Sequence, residues 1–443
     1  MKYGVQQKEK KVLSAKGLLA ITRKVFSQIP QTRSNPRGKN RKISLSDSLM
    51  SALAMFSLKS PSLLAFDQAK IDETLRNNLE KLYEIESVPS DTYMREELDE
   101  VDPVGLRKCF TEIFHATQRG KLLDRYNFLD GYLVAIDGTG YFNSEKVNCV
   151  NCCEKQRRDG KKEYYHQVLA AAIVHPDHSQ VIPLCPELIS KQDGATKNDC
   201  ERRALQRMLA LLKKEHPRLG ITIGMDGLSA NAPVINEIVS YGYHYIINVT
   251  PSGNKALFEF IDGINLKEIV VEKEQNIYKF RYINGIPLNN TKDAPSVNFI
   301  ECKMLEFKGK KSQEKTFTWV TDHKITTNNV YLIMQGGRAR WKIENETFNT
   351  LKNQGYQFEH NFGHGKKYLI SVFALLMMLA FLIDQIQEAT CGLFQAALKK
   401  TISRRALWDR MRSFFYICRL QSWDELFTAI GQAIPSILVY STG

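Results

Sequence analysis

The longest uncharged apolar run in the 443-residue chain covers 16 residues, Tyr368 to Ile383, between Lys367 and Asp384 and with Ser371 inside it. A membrane-crossing helix needs about 18–20 such residues, so the run is expected to be a buried helix and no membrane partner is expected. The opening residues, 1–43, are basic and hold no long apolar core, so no secretory signal is read there. Cysteine is sparse at nine residues, which excludes a disulfide scaffold and points to reduced thiols in a cytosol. No glycine-rich phosphate loop occurs: "GMDG" at 224–227 lacks both the lysine and the spacing. Internal repeats and extended low-complexity segments are also missing, and residue order alone gives no Ser-His-Asp set.

Positive charge, in contrast, is abundant. Lysine and arginine outnumber the acids 61 to 48, a net charge of +13, which suits a polyanionic partner. Residues 1–43 carry twelve of these cations against the single acid Glu9, and they include the turn-rich "QTRSNPRGKN". This stretch is expected to be a flexible arm that tracks a phosphate backbone by charge. Hydrophobic residues make up 43% of the chain, ample for globular folding, and its length predicts two or three domains. From Ser44 the spacing turns helical, with Ser44 and Ser90 as N-caps and Asp102-Pro103 as a break before a helix over about 104–118. Short helices with tight turns fit a helix-turn-helix-like module or a plain bundle.

After Arg125 the pattern changes. Strands are expected at 132–137, 164–175 and 180–185, then a helix over about 197–215, a strand at 220–226, a helix in "APVINEIVSYG" and a strand in "YHYIINVT". This order predicts an α/β fold, a ribonuclease-H-like mixed sheet with helices on both faces. Residues 252–322 read as a β-rich insertion with strand-like "NIYKFRYI", "VNFIECKML" and "KTFTWVT". The expected layout is a basic arm and helical DNA-binding region at 1–120, a catalytic core at 121–251 and 323–390 split by that insertion, and a helical tail at 391–443.

Asp137 and Asp226 each close an apolar strand and precede a glycine, in "AIDGTGYF" and "GMDGLSAN". Functional groups project from such strand ends. In the inferred order the two strands are neighbours, and converging carboxylates call for a divalent cation. The third acid is sought in "RARWKIENETFNTLKNQGY", residues 338–356. Read as a helix at ~100° per residue, this stretch puts Arg340, Glu344, Phe348 and Lys352 on one side. Glu346 falls at the opposite edge, where it is expected to form a surface pair with Lys342. Glu344 is therefore preferred as the third acid, with Glu346 as its alternative.

Asp137, Asp226 and "RWKIENETFNTLK" resemble the DDE transposases of bacterial insertion sequences, in the group with a Y-R-E-K signature and a β-insertion before the glutamate. The resemblance covers about 125–390. It implies that Asp137, Asp226 and Glu344 bind Mg²⁺ or Mn²⁺, and that Arg340 and Lys352 hold DNA phosphates. Gly337 stands where the signature tyrosine belongs, and Lys352 is one residue further from Glu344 than the signature asks. The implied activity is cleavage at transposon ends and transfer of the 3′-hydroxyl into target DNA, by a bacterial cytoplasmic protein that pairs as a homodimer on terminal inverted repeats. A catalytically inactive DNA-binding regulator, or a nuclease without strand transfer, remains as an alternative. Phe317 and Trp319 alternate on the last strand of the insertion and share a face. The resemblance suggests that they stack a displaced base, and cross-strand packing is the ordinary role.

"CVNCCEK" holds Cys149, Cys152 and Cys153, and a C-x2-C pair is half of a zinc site. His166 and the pair His360 and His364, in "EHNFGHGKK", could supply the remainder of a structural Zn²⁺ site. The alternative is a set of plain thiols. Asp193, Asp199 and Glu201 are assigned to a loop and a helix start.

Overall fold

The structure, a computed structural model, describes residues 11–30, 43–191, 200–273, 276–308 and 311–432. Most of the basic arm, with Asp193 and Asp199, lies outside the described residues. Within that arm, however, α1 (Ala15–Phe26) is a regular helix, capped by the Ser14 side chain on the Gly17 amide. Its buried face is Leu18, Leu19, Thr22, Val25 and Phe26, an i, i+3/i+4 stripe. The flexible-arm expectation is thus corrected for these residues, where interspersed cations hid the period.

Five more helices follow: α2 (Leu45–Ser57), α3 (Leu63–Ala69), α4 (Glu73–Tyr83), α5 (Asp91–Leu98) and α6 (Arg107–Arg119). Ser44 and Ser90 cap α2 and α5 as expected. α2 is buried along almost its whole length, from Leu45 to Phe56. A helix enclosed on every side leaves no face to lie in a DNA groove, so α2 is core rather than a recognition helix.

The sheet is mixed and has twelve strands: β1 (Asn127–Phe128), β2 (Gly131–Ser144), β3 (Cys153–Gln156), β4 (Lys162–His175), β5 (His178–Pro183), β6 (Glu187–Ile189), β7 (Ile221–Met225), β8 (His244–Asn248), β9 (Lys267–Lys273), β10 (Asn276–Pro287), β11 (Ser296–Lys308) and β12 (Lys311–Thr321). The path runs β3-β4-β2-β7-β8-β12-β11-β10-β9, with β1 on β2 and with β5 and β6 on β4. β2, β7 and β8 are mutually parallel, and the other pairings are antiparallel. Parallel neighbours need crossovers, supplied by α7 (Glu201–Glu215) before β7 and α8 (Ala232–Ser240) before β8. After β8 comes α9 (Lys255–Asp262), and the β9–β12 meander then rejoins the sheet when β12 pairs with β8 through Trp319↔Asn248 to Thr321↔Ile246. The β-rich stretch therefore prolongs the same sheet.

The chain continues through α10 (Val330–Ala339), a π-helical turn at Ile343–Phe348 and α11 (Asn349–Asn353). Next comes α12 (Leu369–Thr390), then α13 (Gly392–Thr401), α14 (Arg404–Ile417) and α15 (Trp423–Gln432). Among the described residues α12 is the one helix long and apolar enough to cross a membrane, and all of it but Glu388 and Thr390 is buried within the protein. Its buried polar residues each find a partner. Asp384 pairs with Lys59 and accepts the Tyr356 hydroxyl at 2.5 Å. Gln385 accepts from the Val181 amide at 2.9 Å, and Gln387 donates to the Leu13 carbonyl at 2.6 Å. Lys59 also lies 3.7 Å from the centroid of the Trp408 ring. The N-terminal helices, the sheet and the C-terminal helices thus share α12 as one core element.

Candidate active site

β2 and β7 run side by side in parallel, with Ala135 opposite Gly224. Two residues further on, Asp137 lies within β2, which runs on to Ser144 and so does not end at the acid as expected, while Asp226 directly follows β7, at the same level. Asp137 Oδ1 accepts its neighbour's amide, Gly138 N–H, at 2.8 Å. Asp137 Oδ2 lies 3.4 Å from Nη1 of Arg340, and the same nitrogen donates to Glu344 Oε1 at 2.9 Å. One guanidinium therefore joins the acid of β2 to the acid of the later helical segment. Burial pushes the Asp137 carboxyl up to about 6; the Gly138 amide and Arg340 oppose this, and the negative charges of Glu344 and Asp226 add to it.

Arg340 does not project toward solvent, as a phosphate ligand would. Its side chain is only 6% exposed, and its charge is directed at Asp137 and Glu344. The uniform α-wheel placed Arg340 and Glu344 together correctly because they are one α-turn apart. Beyond Glu344 the wheel fails, since the Asn349 amide bonds back to the Glu344 carbonyl, an i−5 link that defines the π turn. Glu346 sits inside this turn. Lys342 does not form the expected surface pair with it: the Lys342 ammonium donates to the carbonyls of Pro176 (2.9 Å) and His178 in the β4–β5 turn. Lys352 is paired with Glu359 at 2.7 Å.

A fourth acid, read from the sequence only as a helix-start residue, also reaches the group. Glu201 opens α7, and a methyl group built on Gly138 would come within 2.2 Å of Glu201 Oε1. The Glu201 carboxyl is raised by burial and by the charge of Asp226, so it belongs to the same electrostatic cluster. The signal was present, an acid in the first turn of a crossover helix whose start must approach the strand ends.

Trp319 is 1% exposed and is not available to stack a base. It packs against Gly337, where a methyl would meet the indole Nε1 at 2.5 Å, so Gly337 leaves the room the indole needs. Phe317 is half-buried and stacks on Trp319 with ring centroids 5.8 Å apart, and the Arg338 guanidinium lies 5.3 Å from its centroid. The pair thus packs within one face of β12 and beneath α10.

A second cluster lies past the far end of β2. Cys149, Cys152 and His166 come together with His364, while Cys153 turns toward the Ile189 carbonyl. His360 is outside the cluster, exposed and edge-on to Phe362. No protein-family model and no curated protein matches this chain.

Proposed function

We propose that the chain is a DDE-type DNA transposase built on a ribonuclease-H-like core, acting on double-stranded DNA at element ends and at a target. The observation that carries this reading is the meeting of Asp137 and Glu344 on one buried guanidinium, beside the strand that ends in Asp226. The strand order β5-β4-β2-β7-β8, with crossover helices before the two added parallel strands, supports the core assignment. The net charge of +13 supports a nucleic-acid substrate.

The donor set fits a hard divalent cation, Mg²⁺ or Mn²⁺, because Asp137, Asp226 and Glu344 offer only carboxylate oxygens and their like charges repel. Such a cation, when bound, supplies positive charge that acidifies an attacking hydroxyl and steadies the oxygen leaving phosphorus. The protein's own part is positional. β2 and β7 hold two carboxylates at one level, Gly138 fixes the Asp137 rotamer, and Arg340 keeps Glu344 turned toward them. Arg340 also balances part of the negative charge inside the site, so it serves the acids first and DNA only through them. Glu201 adds a further oxygen donor at the edge of the group.

The test is a plasmid assay with purified protein, element-end DNA and Mg²⁺. Strand-transfer product is expected; cleavage without joining would make the protein a nuclease, and end binding without cleavage would make it a regulator. Size analysis of the end-bound complex is expected to show two protein copies.

A further inference from the structure

We infer that Cys149, Cys152, His166 and His364 form a structural zinc site that fastens the far end of β2 to the segment leading into α12. This inference does not depend on the DNA reading above. A tetrahedral zinc with Zn–S bonds of ~2.3 Å and Zn–N bonds of ~2.0–2.1 Å has S···S edges of ~3.8 Å and S···N edges of ~3.5 Å. The observed edges are 3.7 Å between the two sulfurs, 3.4 and 3.1 Å from Cys149 and Cys152 Sγ to His166 Nε2, and 3.5 Å from Cys152 Sγ to His364 Nε2. All four ligand atoms lie within 4.8 Å of one another. The sulfurs are too far apart for a disulfide, and both cysteines are free.

The surroundings hold the donors in ligand orientation. His364 Nδ1 sits 3.0 Å from the Gly365 carbonyl, which can only accept. That nitrogen therefore carries the proton, and the Nε2 lone pair faces the cluster. The Cys149 amide donates to Cys152 Sγ at 3.3 Å, closing a tight turn around the sulfurs. Gly363 and Gly365, at φ +153° and +70°, bracket His364, and a methyl on Gly365 would come within 2.2 Å of Asp99 Oδ1. Only glycine fits there, and the bracket delivers His364 inward.

The same segment is tied down on two sides. Asp99 accepts the amides of Lys366, Lys367, Tyr368 and Leu369 at 2.8–3.0 Å, and the Val150 amide and Asn151 side chain reach the carbonyls of Lys366 and Lys367. Phe142 of β2 packs on the His364 ring at 4.4 Å. A zinc ion would join β2, β4 and the entry to α12 at one point. The other His/Asp group, His244, Asp322 and His323, offers no such set: Asp322 is already engaged by His244 and the Tyr245 amide, and His323 by Thr222.

The test uses full-length protein purified under reducing conditions and passed through a brief EDTA wash. Elemental analysis is expected to return one zinc per chain. Protein stripped with a stronger chelator is expected to bind Co²⁺ with the intense visible bands of a tetrahedral thiolate site, and to regain its original Tm on adding ZnCl₂. Cys152→Ser and His364→Asn should lose the metal, whereas Cys153→Ser and His360→Asn should keep it. If the ligand variants fail to fold, the Co²⁺ spectrum of the wild-type chain decides. Wild-type protein that carries no zinc and gives no tetrahedral Co²⁺ bands overturns the inference, as does stoichiometric zinc retained in Cys152→Ser.

Discussion

The two clusters flank β2 and follow opposite physics. At Asp137 the donors are hard oxygens that repel one another, and a buried arginine holds two of them. At Cys149 the donors are sulfur and imidazole, drawn in to near-tetrahedral edges and enclosed by glycine-bracketed backbone. The proposed chemistry calls for the first arrangement, in which Arg340 balances only part of the acids' charge and a cation would balance the rest. A permanent rivet needs the second, with every donor turned inward and its partners settled.

The sharpest way to break this comparison is to neutralise the acids. Asp137→Asn, Asp226→Asn and Glu344→Gln are each expected to lower Mg²⁺-dependent DNA cleavage by about 10³-fold or more, with end binding in a gel-shift assay retained. Full activity in Glu344→Gln would pass its role to Glu346. Glu201→Gln is expected to cause a smaller loss, about tenfold, with the deficit reduced at high Mn²⁺. Removing zinc should act oppositely, lowering Tm while leaving Asp137 and its partners chemically intact.

Away from both clusters, Lys59→Ala would strand Asp384 in the core and should cost about 3–5 kcal/mol in denaturant unfolding. Gly337→Ala should cost ~1–3 kcal/mol, since the new methyl meets the Trp319 indole. The Trp319 emission should stay unchanged when element-end DNA is added, because the ring is buried.

The smallest effect is a pH dependence. Asp137 keeps its proton to about pH 6 in the folded chain, later than the ordinary aspartate value of ~3.9 in the unfolded one. The folded state then binds more protons between these values, so without divalent ions Asp137 should lower stability as pH rises from about 4 to 6. Adding Mn²⁺ at pH 7 should recover that loss, and Mn²⁺ affinity should weaken below pH 6. A Tm unchanged by Mn²⁺ at pH 7 would count against cation binding by these acids.

How much of this was legible in the sequence depends on how local each feature is. Asp226 was readable because an apolar strand giving way to Asp-Gly advertises itself, and Glu344 because it lies one α-turn from Arg340; Asp137 was picked out by the same Asp-Gly step although its strand runs on to Ser144. The role of Arg340 was not readable: it looked like one cation among several until the sheet brought Asp137 beneath it. Trp319 was left between stacking and packing because alternation shows which residues share a face and says nothing of what covers it. The cover is α10, whose Gly337 admits the indole. The C-x2-C pair was visible as half a site, but only the fold chooses His364 over His360. α1 was missed because basic residues diluted its apolar stripe.

The π turn at Ile343–Phe348 bears on how this segment would take a change in length. An extra residue in a helix ordinarily rotates everything downstream by about 100°, but a wider turn absorbs it locally. The turn's Asn349-to-Glu344 bond lies within the interval from Glu344 to Lys352. Excising a single position there, such as Asn345, would let the segment relax to a regular spiral. A single-residue deletion there is therefore expected to be absorbed within the turn, leaving Lys352 and the residues after it in place.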